Sequence, residues 1–304
     1  MHKANGQLNK WQMKLCYYGG GGIMANIYYS DMDGTLLNAV GRLESHQRER
    51  LRRLLLEGVQ FSVATGRNMH MIRSELKDLP IVLPVIENNG SYLTDYQTGE
   101  KLVVNYFPHD HLHEIINVFM GSSTSPMFLL IEDGVEKTYA SNNQLNEGML
   151  QFREFRRSLG EETFELIDDL SGLPFHQLVN LQAVGREDEI LELTKILETF
   201  PERYEVHAMN TYDGWWYANI ASHDSSKAHG LELVRQQLKP EDQIIVFGDN
   251  VNDIPMLKVA DISIAVNNAL PMVKQAADIV IGNHGDGAVI DFIEQHRDKK
   301  IVIK

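Results

Sequence analysis

Short apolar runs alternate with segments of helical periodicity along most of the chain. Residues 27–30 form an apolar run that predicts a strand, whereas 47–57 has apolar residues at 51, 54, 55 and 56, which predicts an amphipathic helix. The same alternation predicts strands at 59–64 and 81–86 and a helix at 69–79. Strands that alternate with helices favour a parallel sheet covered by helices on both faces.

The C-terminal third continues this alternation. Its periodicity predicts helices at 228–238, 254–259, 270–276 and 289–295, separated by strands at 243–247, 262–266 and 278–281. We therefore expect one α/β domain, a Rossmann-like doubly wound parallel sheet, built from residues 24–106 and 207–304.

The segment 107–206 has a different pattern and predicts a small inserted α+β domain. Apolar runs around Asp133-Gly134 indicate a hairpin. The segment carries 19 acidic and 7 basic residues, a net charge of −12, which is expected of a solvated outer surface. Its predicted helices are 109–120, 145–159 and 187–200, and its predicted strands are 127–132, 136–140, 177–184 and 203–209.

Residues 1–23 are polar, lack any hydrophobic period and end in four consecutive glycines. This composition predicts a flexible leader, with the functional protein starting near Met24. We expect the leader to be dispensable for folding and activity.

The composition narrows the possible partners. The 304 residues carry a formal net charge of −14, so nucleic acid and anionic membranes are not expected partners. Cys16 is the single cysteine, which fits a reducing compartment such as the cytoplasm. No run approaches about 18 apolar residues, so no membrane span is predicted.

Two carboxylates follow the first predicted strand. Asp31 and Asp33 are separated by one residue, and Gly34 permits a turn with positive φ. In an open α/β sheet, ligands bind at the carboxyl ends of the strands. An acidic turn is an alternative interpretation. A calcium-binding loop is excluded, because its glycine and glutamate positions are occupied by Leu36 and Arg42.

The arrangement recurs at residues 244–253, where an apolar strand ends in Gly248-Asp249 and Asp253 follows four residues later. Carboxylates that converge from two strand ends repel one another unless a cation lies between them. Hard oxygen ligands with open coordination positions suit Mg²⁺. The sequence therefore predicts a magnesium site.

Two further segments are candidates for anion binding. Thr65 and Gly66 lie between a predicted strand and a helix, where a hydroxyl and backbone N–H groups can hold a phosphoryl oxygen. Lys227 follows Ser225-Ser226, which are predicted N-cap residues, so it lies in the first turn of a helix. Taken singly, these segments also fit an ordinary helix start and a solvated lysine.

Together the four segments resemble the motifs of the haloacid dehalogenase-like hydrolases. Their order is Asp-x-Asp-Gly-Thr, Thr-Gly-Arg, a lysine before a helix, and Gly-Asp-x-x-Asn-Asp. The chain is most similar to the Cof-type branch, subfamily IIB: Asp31 and Thr65 are 34 residues apart, while the 162 residues from Thr65 to Lys227 leave room for a large cap of C2B type. Residues 87–90 and 260–269 also resemble this branch.

The resemblance implies a role for each matching residue. Asp31 is then the nucleophile and a metal ligand, Asp33 is the general acid–base with its backbone carbonyl on the metal, Asp249 is the third protein ligand, and Asp253 supports the outer coordination shell. The phosphoryl oxygens are then held by the Met32 backbone, Thr65, Gly66, Lys227 and Asn252.

The implied activity is a Mg²⁺-dependent phosphatase acting on a small sugar phosphate or cofactor phosphate through an aspartyl phosphate. The cap is then residues 107–206, closing over the core domain and choosing the leaving group. Two alternatives are a phosphomutase or phosphotransferase on the same fold, and a non-catalytic regulatory protein.

Overall fold

The structure is a computed structural model that describes residues 25–158, 160, 163–200, 204–210 and 214–302. The leader predicted at 1–23 lies outside the described residues. The described strands, in chain order, are β1 (Asn26–Ser30), β2 (Gln60–Val63), β3 (Val85–Glu87), β4 (Tyr92–Thr94), β5 (Lys101–Val104), β6 (Ser125–Glu132), β7 (Val135–Ser141), β8 (Phe164–Ile167), β9 (Leu178–Gly185), β10 (Tyr204–Asn210), β11 (Trp216–Ser222), β12 (Gln243–Gly248), β13 (Ile262–Ala265) and β14 (Ile279–Val280).

The described α-helices are α1 (Ser45–Leu56), α2 (Met69–Leu76), α3 (Leu112–Gly121), α4 (Glu147–Ser158), α5 (Glu187–Leu197), α6 (Lys227–Arg235), α7 (Ile254–Val259), α8 (Pro271–Ala276) and α9 (Ala288–His296). The chain divides into two compact units. The first is Met1–Val103 with Ser226–Lys304, and the second is Val104–Ser225.

The first unit contains a five-stranded parallel sheet in the order β14-β13-β12-β1-β2. All five residues of the interior strand β1 are buried. A strand covered on both faces needs a nearly continuous apolar run, which is the pattern at 27–30. The parallel α/β core predicted from the alternation of strands and helices is confirmed.

Helix α1 buries Leu51, Leu54 and Leu55 in the core of this unit. Their spacing of three and four residues places them on one helical face, as the sequence pattern predicted. Helix α2 begins where the Asn68 side chain accepts a hydrogen bond from the backbone N–H of Met71 at 3.0 Å.

The strand predicted at 81–86 is shorter in the structure. Only Val85–Glu87 pairs with β4, in a separate three-stranded sheet β3-β4-β5. Proline cannot donate to a strand ladder, and Pro84 interrupts the predicted run. Its carbonyl instead accepts hydrogen bonds from the Tyr29 hydroxyl and the Ser62 hydroxyl, both at 2.8 Å.

The second unit contains a six-stranded sheet in the order β10-β11-β9-β6-β7-β8. Its pairs are antiparallel except for β7 with β8. Phe128 packs in a core cluster with residues of α3 and α5, and its neighbour Met127 packs in a second cluster with Met149 of α4. Because neighbouring strand residues point to opposite faces, helices cover both faces of this sheet.

The second unit extends beyond the insertion predicted at 107–206. Strand β11 pairs with β9 and β10, so the chain up to Ser225 belongs to this sheet. The predicted boundaries at 106/107 and 206/207 fall at 103/104 and 225/226 in the structure. No helix in the described part of the chain is long and apolar enough to cross a membrane.

Candidate active site

Asp31 lies directly after β1 at the carboxyl edge of the parallel sheet. Its backbone N–H donates to the carbonyl of Phe247 on the neighbouring strand at 3.0 Å. Its side chain is 9% exposed, and its Oδ1 accepts a hydrogen bond from Lys227 Nζ at 2.6 Å. The sheet thus presents a buried carboxylate in contact with an ammonium group.

Lys227 is the first residue of α6, and its side chain is 2% exposed. The helix begins at Ser226, whose Oγ accepts from the backbone N–H of His229 at 3.1 Å. Lys227 Nζ also donates to Asp253 Oδ1 at 2.7 Å. The lysine is therefore bound between two carboxylates and is not a solvated surface residue.

Burial and charge act in opposite directions on this pair. Burial disfavours the ammonium form of Lys227, but the carboxylates of Asp253 and Asp31 outweigh it and raise the lysine pKa. Burial raises the pKa of the Asp31 carboxyl, and Lys227 opposes this rise. Close approach of the ammonium group is what makes a charged carboxylate tolerable in this position.

Asp249 follows β12 and brings a further carboxylate to the same place. One oxygen each of Asp31, Asp249 and Asp253 lie within 4.8 Å of one another. Burial raises the pKa of Asp249, while a hydrogen bond from Thr35 Oγ1 to its Oδ1, at 2.8 Å, opposes the rise. The two strand ends therefore converge, as the recurrence of carboxylates predicted.

The three carboxylates differ in the partners they already have. Asp253 Oδ1 accepts from Lys227, and its Oδ2 accepts from the backbone N–H groups of Asp249 at 2.9 Å and Asn250 at 3.0 Å. Asp31 and Asp249 each have one oxygen engaged by a side-chain donor. Among the described residues, these three carboxylates share one ammonium group, and their hard oxygen atoms fit a divalent cation.

Gly34 is required for Asp249 to approach the turn after β1. It has φ +75°, and a Cβ at this position would lie 2.5 Å from Asp249 Oδ2. The carbonyl of Gly34 accepts from Asn268 Nδ2 at 2.7 Å. Glycine is therefore needed here for two reasons: it adopts the positive φ without strain, and its lack of a Cβ leaves room for the Asp249 carboxylate.

Asp33 is two residues from Asp31 but lies in a different environment. Its carboxylate is 56% exposed and forms two hydrogen bonds with Arg67, at 2.8 Å from Nε and 2.6 Å from Nη2. Met32, between the two acids, is fully buried. The turn thus presents one buried carboxylate and one at the surface.

Thr65 and Gly66 lie after β2 at the same sheet edge as Asp31. Thr65 is buried, and its Oγ1 accepts from the backbone N–H of Arg67 at 3.2 Å. A Cβ on Gly66 would lie 3.3 Å from the amide of Asn89. Asn89 Oδ1 in turn accepts from Asn252 Nδ2 at 3.3 Å, so the Thr65 and Asn252 segments meet through Asn89.

Asn89 and the pairing of Arg67 with Asp33 were not predicted. Arg67 stands in the motif Thr65-Gly66-Arg67, but no periodicity or spacing indicates its partner. Asn89 belongs to an Asn-Asn-Gly run after a strand, a composition that favours left-handed backbone. That signal indicates a turn but does not reveal which side chains the turn contacts.

Comparison with known proteins agrees with this geometry. A family profile described as haloacid dehalogenase-like hydrolase matches residues 28–293. The chain therefore belongs to the haloacid dehalogenase-like hydrolases, and the resemblance stated from its motifs is confirmed.

Two proteins with similar sequences are named as phosphatases. Pyridoxal phosphate phosphatase YbhA of Escherichia coli is 28% identical over 273 residues, which cover 88% of this chain and 96% of that protein. The 5-amino-6-(5-phospho-D-ribitylamino)uracil phosphatase YwtE of Bacillus subtilis is 25% identical, covering 87% of this chain and 96% of that protein. The predicted enzyme class, a phosphoric monoester hydrolase, is confirmed.

Solved structures with the same fold include a haloacid dehalogenase-like hydrolase from Bacteroides thetaiotaomicron. It superposes with a TM-score of 0.71 at 20% identity and covers 89% of this chain and 99% of its own. A subclass IIB sugar phosphatase has a TM-score of 0.65 at 23% identity, with coverage of 89% and 98%. These likenesses establish the fold.

Proposed function

We propose that this chain is a magnesium-dependent phosphatase that hydrolyses a small phosphorylated metabolite through an aspartyl phosphate on Asp31. The observation that supports this most is the buried Asp31 carboxylate, in contact with Lys227 and close to two further carboxylates at one sheet edge. A carboxylate nucleophile needs positive charge nearby, because the incoming phosphoryl group is itself negatively charged.

In the first step, an oxygen of Asp31 attacks phosphorus and the bond from phosphorus to the leaving oxygen breaks. Asp33 donates a proton to that oxygen, so the product leaves as an alcohol. In the second step, water attacks the phosphorus of the aspartyl phosphate while Asp33 accepts the proton of the water. Inorganic phosphate is released, and the Asp31 carboxylate is restored.

Asp33 suits the role of proton carrier because its carboxylate is half-exposed and held at the surface by Arg67. Asp31 suits the role of nucleophile because it is buried away from bulk water. The two acids of one short turn thus have different environments, and these environments support different roles.

The phosphoryl oxygens are held, in this proposal, by donors from four segments. Lys227 supplies the positive charge, Thr65 a hydroxyl and Asn252 a carboxamide. The backbone N–H groups of Met32 and Gly66 complete the set. Such donors act mainly by stabilising charge on the transferring group.

Asp31, Asp249 and the backbone carbonyl of Asp33 are the groups we propose as ligands of Mg²⁺. When bound, a divalent cation supplies positive charge that stabilises the transferring phosphoryl group. We propose that Asp253 holds the surrounding groups in place and is not itself a metal ligand. Its Oδ1 accepts a hydrogen bond from Lys227, and its Oδ2 accepts from the backbone N–H groups of Asp249 and Asn250. Magnesium is proposed because all the donors are hard oxygen atoms.

The substrate we propose is a small sugar phosphate or cofactor phosphate in the cytoplasm. The named relatives support this class, since they act on pyridoxal phosphate and on a phosphorylated ribitylaminouracil. We assign the second unit, Val104–Ser225, as the cap domain that chooses the leaving group.

The direct test is a panel of phosphate esters that includes pyridoxal phosphate and several hexose phosphates, with release of inorganic phosphate as the measurement. We expect turnover with Mg²⁺, loss of turnover on chelation and its return when Mg²⁺ is restored. The variant Asp31→Asn is expected to lose nearly all activity. Wild-type turnover by Asp31→Asn would refute the mechanism, and a blank panel with the intact enzyme would refute the function.

A further inference from the structure

The loop between β3 and β4 has an unusual backbone. Its residues Asn88, Asn89 and Gly90 are consecutive, and all have positive φ, at 48°, 54° and 99°. Residues other than glycine seldom adopt this conformation. Backbone of this kind persists only where surrounding contacts fix it, and it is concentrated at functional sites.

Backbone hydrogen bonds fix this loop against the segment that follows β2. The N–H of Asn89 donates to the carbonyl of Thr65 at 2.9 Å, and the N–H of Asn88 donates to the carbonyl of Arg67 at 3.1 Å. On its other side, Gly90 lies against the residue that caps α6: a Cβ on Gly90 would be 2.2 Å from the carbonyl oxygen of Ser226. The loop therefore contacts both the Thr65 segment and the start of the Lys227 helix.

The Asn89 side chain lies between two proposed phosphoryl-binding groups. It is 7% exposed, and its carboxamide lies against Gly66. Its Oδ1 accepts one N–H of Asn252 at 3.3 Å. A primary amide has two N–H groups, so this bond fixes the plane of the Asn252 carboxamide and leaves its second N–H for another acceptor.

We infer that Asn89 is a positioning residue of the phosphoryl-binding site, which orients the Asn252 carboxamide so that its second N–H donates to the phosphoryl group. This inference rests on the proposed function, because it requires a phosphoryl group beside Asn252. Without Asn89, the carboxamide rotates about its side-chain bonds, and the donor is no longer pre-oriented.

The test compares the wild type with Asn89→Gly, Asn252→Ala and the double variant. Glycine adopts positive φ without strain, so Asn89→Gly removes the side chain without adding backbone strain. The matched control is Asp78→Gly, which makes the same backbone change at an exposed residue with φ 65°. The measurements are the midpoint of thermal unfolding, kcat/KM for a phosphate ester that the wild type hydrolyses, and the inhibition constant of inorganic phosphate.

We expect Asn89→Gly to lower kcat/KM about tenfold and to weaken inhibition by phosphate, with no loss of thermal midpoint. The double variant is expected to match Asn252→Ala alone, because the two residues act as one unit. Asp78→Gly is expected to retain wild-type kinetics.

Two results would overturn the inference while leaving the proposed function intact. One is an active wild type whose Asn89→Gly variant has unchanged kcat/KM and phosphate inhibition. The other is a double variant whose loss equals the product of the two single losses, because that shows that Asn89 and Asn252 act independently. An inactive wild type would refute the proposed function, and this inference with it.

Discussion

Asp31 and Lys227 are 196 residues apart in the chain, yet their charged groups are 2.6 Å apart in the structure. Burying such a pair costs several kcal/mol per ion in desolvation, so buried pairs are weak contributors to stability. Two carboxylates and one ammonium in a buried cluster are better explained by the chemistry of a charged ligand. This view agrees with the position of the cluster at the strand ends.

Replacing Asp33 tests the separation of roles within the turn. Asp33→Asn removes the proposed proton carrier but leaves the proposed nucleophile Asp31, so we expect kcat to fall by about 10²–10⁴-fold without disappearing. Steady-state release of phosphate measures this, with Asp31→Asn as the reference for complete loss. Equal residual activity in the two variants would argue against separate roles.

Gly34 offers a test of the space around Asp249. Gly34→Ala places a Cβ 2.5 Å from Asp249 Oδ2 at a backbone with φ +75°. We expect it to displace the carboxylate and to abolish most turnover, measured as phosphate release at saturating Mg²⁺.

The matched control is Gly58→Ala, at φ +94°, where no atom of the described residues lies within 4 Å of the added Cβ. It should lose about 1–2 kcal/mol of stability from backbone strain and keep its turnover. Similar turnover in the two variants would show that contact with Asp249 is unimportant.

A cluster of charged side chains joins helices α1 and α9. Arg50 Nη2 donates to Glu294 Oε2 and to Asp291 Oδ1, both at 2.6 Å. The Arg50 hydrogen bond lowers the pKa of Glu294 in the folded protein. The bridge therefore stabilises the fold above the unfolded pKa of glutamate, about 4.3, and is lost as pH falls through the lower folded pKa.

Glu294→Gln is accordingly expected to cost about 1 kcal/mol near neutral pH, and the difference from wild type should shrink below about pH 4. Urea unfolding over this pH range measures it. Glu49→Gln, at an exposed glutamate next to Arg50 on helix α1, is the control and should change stability by less than about 0.5 kcal/mol. A difference for Glu294→Gln that grows at low pH would contradict the assignment.

Replacing Gly148 in helix α4 of the second unit has two opposing effects on stability, one from helix propensity and one from packing. Alanine at Gly148 gains about 1 kcal/mol of helix propensity. However, its Cβ would lie 2.3 Å from the Trp215 ring, which the Arg186 guanidinium covers at 3.6 Å from the ring centroid. Overpacking typically costs about 1–3 kcal/mol, so we expect Gly148→Ala to destabilise the protein in thermal unfolding.

Gly121→Ala, in helix α3, is the control. Within the part of the chain that the structure describes, no atom lies within 4 Å of the added Cβ, so this substitution should be neutral or stabilising. Equal changes in thermal stability for Gly148→Ala and Gly121→Ala would show that the contact with Trp215 does not determine the outcome.

The positions of the strands and helices determine which contacts of the site could be predicted from the sequence. Asp31 and Asp249 were predictable partners, because each follows an apolar strand and parallel strands end at one edge. The double contact of Lys227 with Asp31 and Asp253 was not, because it depends on where α6 packs. Asn89 was also missed: its backbone conformation follows from local composition, but its contact with Asn252 spans 163 residues.

The sequence predicted an inserted unit within the chain, but the predicted end at residue 206 differs from the end at Ser225 in the structure. The pattern at 203–209 indicated one strand, whereas β11 completes a hairpin with β10 and carries the unit to Ser225. The second partner of β11 is β9, which is separated from it in the chain by α5 and β10, so local periodicity does not reveal this pairing. The fold class follows from local periodicity that repeats along the chain. It was therefore easier to predict from the sequence than the boundary between the two units.

The second unit has its own apolar clusters and is one continuous segment, which leads to a prediction about folding. We expect residues 104–225, expressed alone, to fold and to unfold cooperatively on heating, as followed by circular dichroism. A segment 107–206 should fail this test, because it lacks β11. Cooperative unfolding of the shorter segment would contradict the role given to β11.

The proposed mechanism requires Asp31 to become covalently phosphorylated during turnover. The most direct measurement is rapid acid quenching of the enzyme with Mg²⁺ and a turned-over phosphate ester, followed by peptide mass spectrometry. We expect one phosphoryl group on Asp31 in the wild type and none in Asp31→Asn. Turnover without any phosphorylated Asp31, or with the group on another residue, would contradict it.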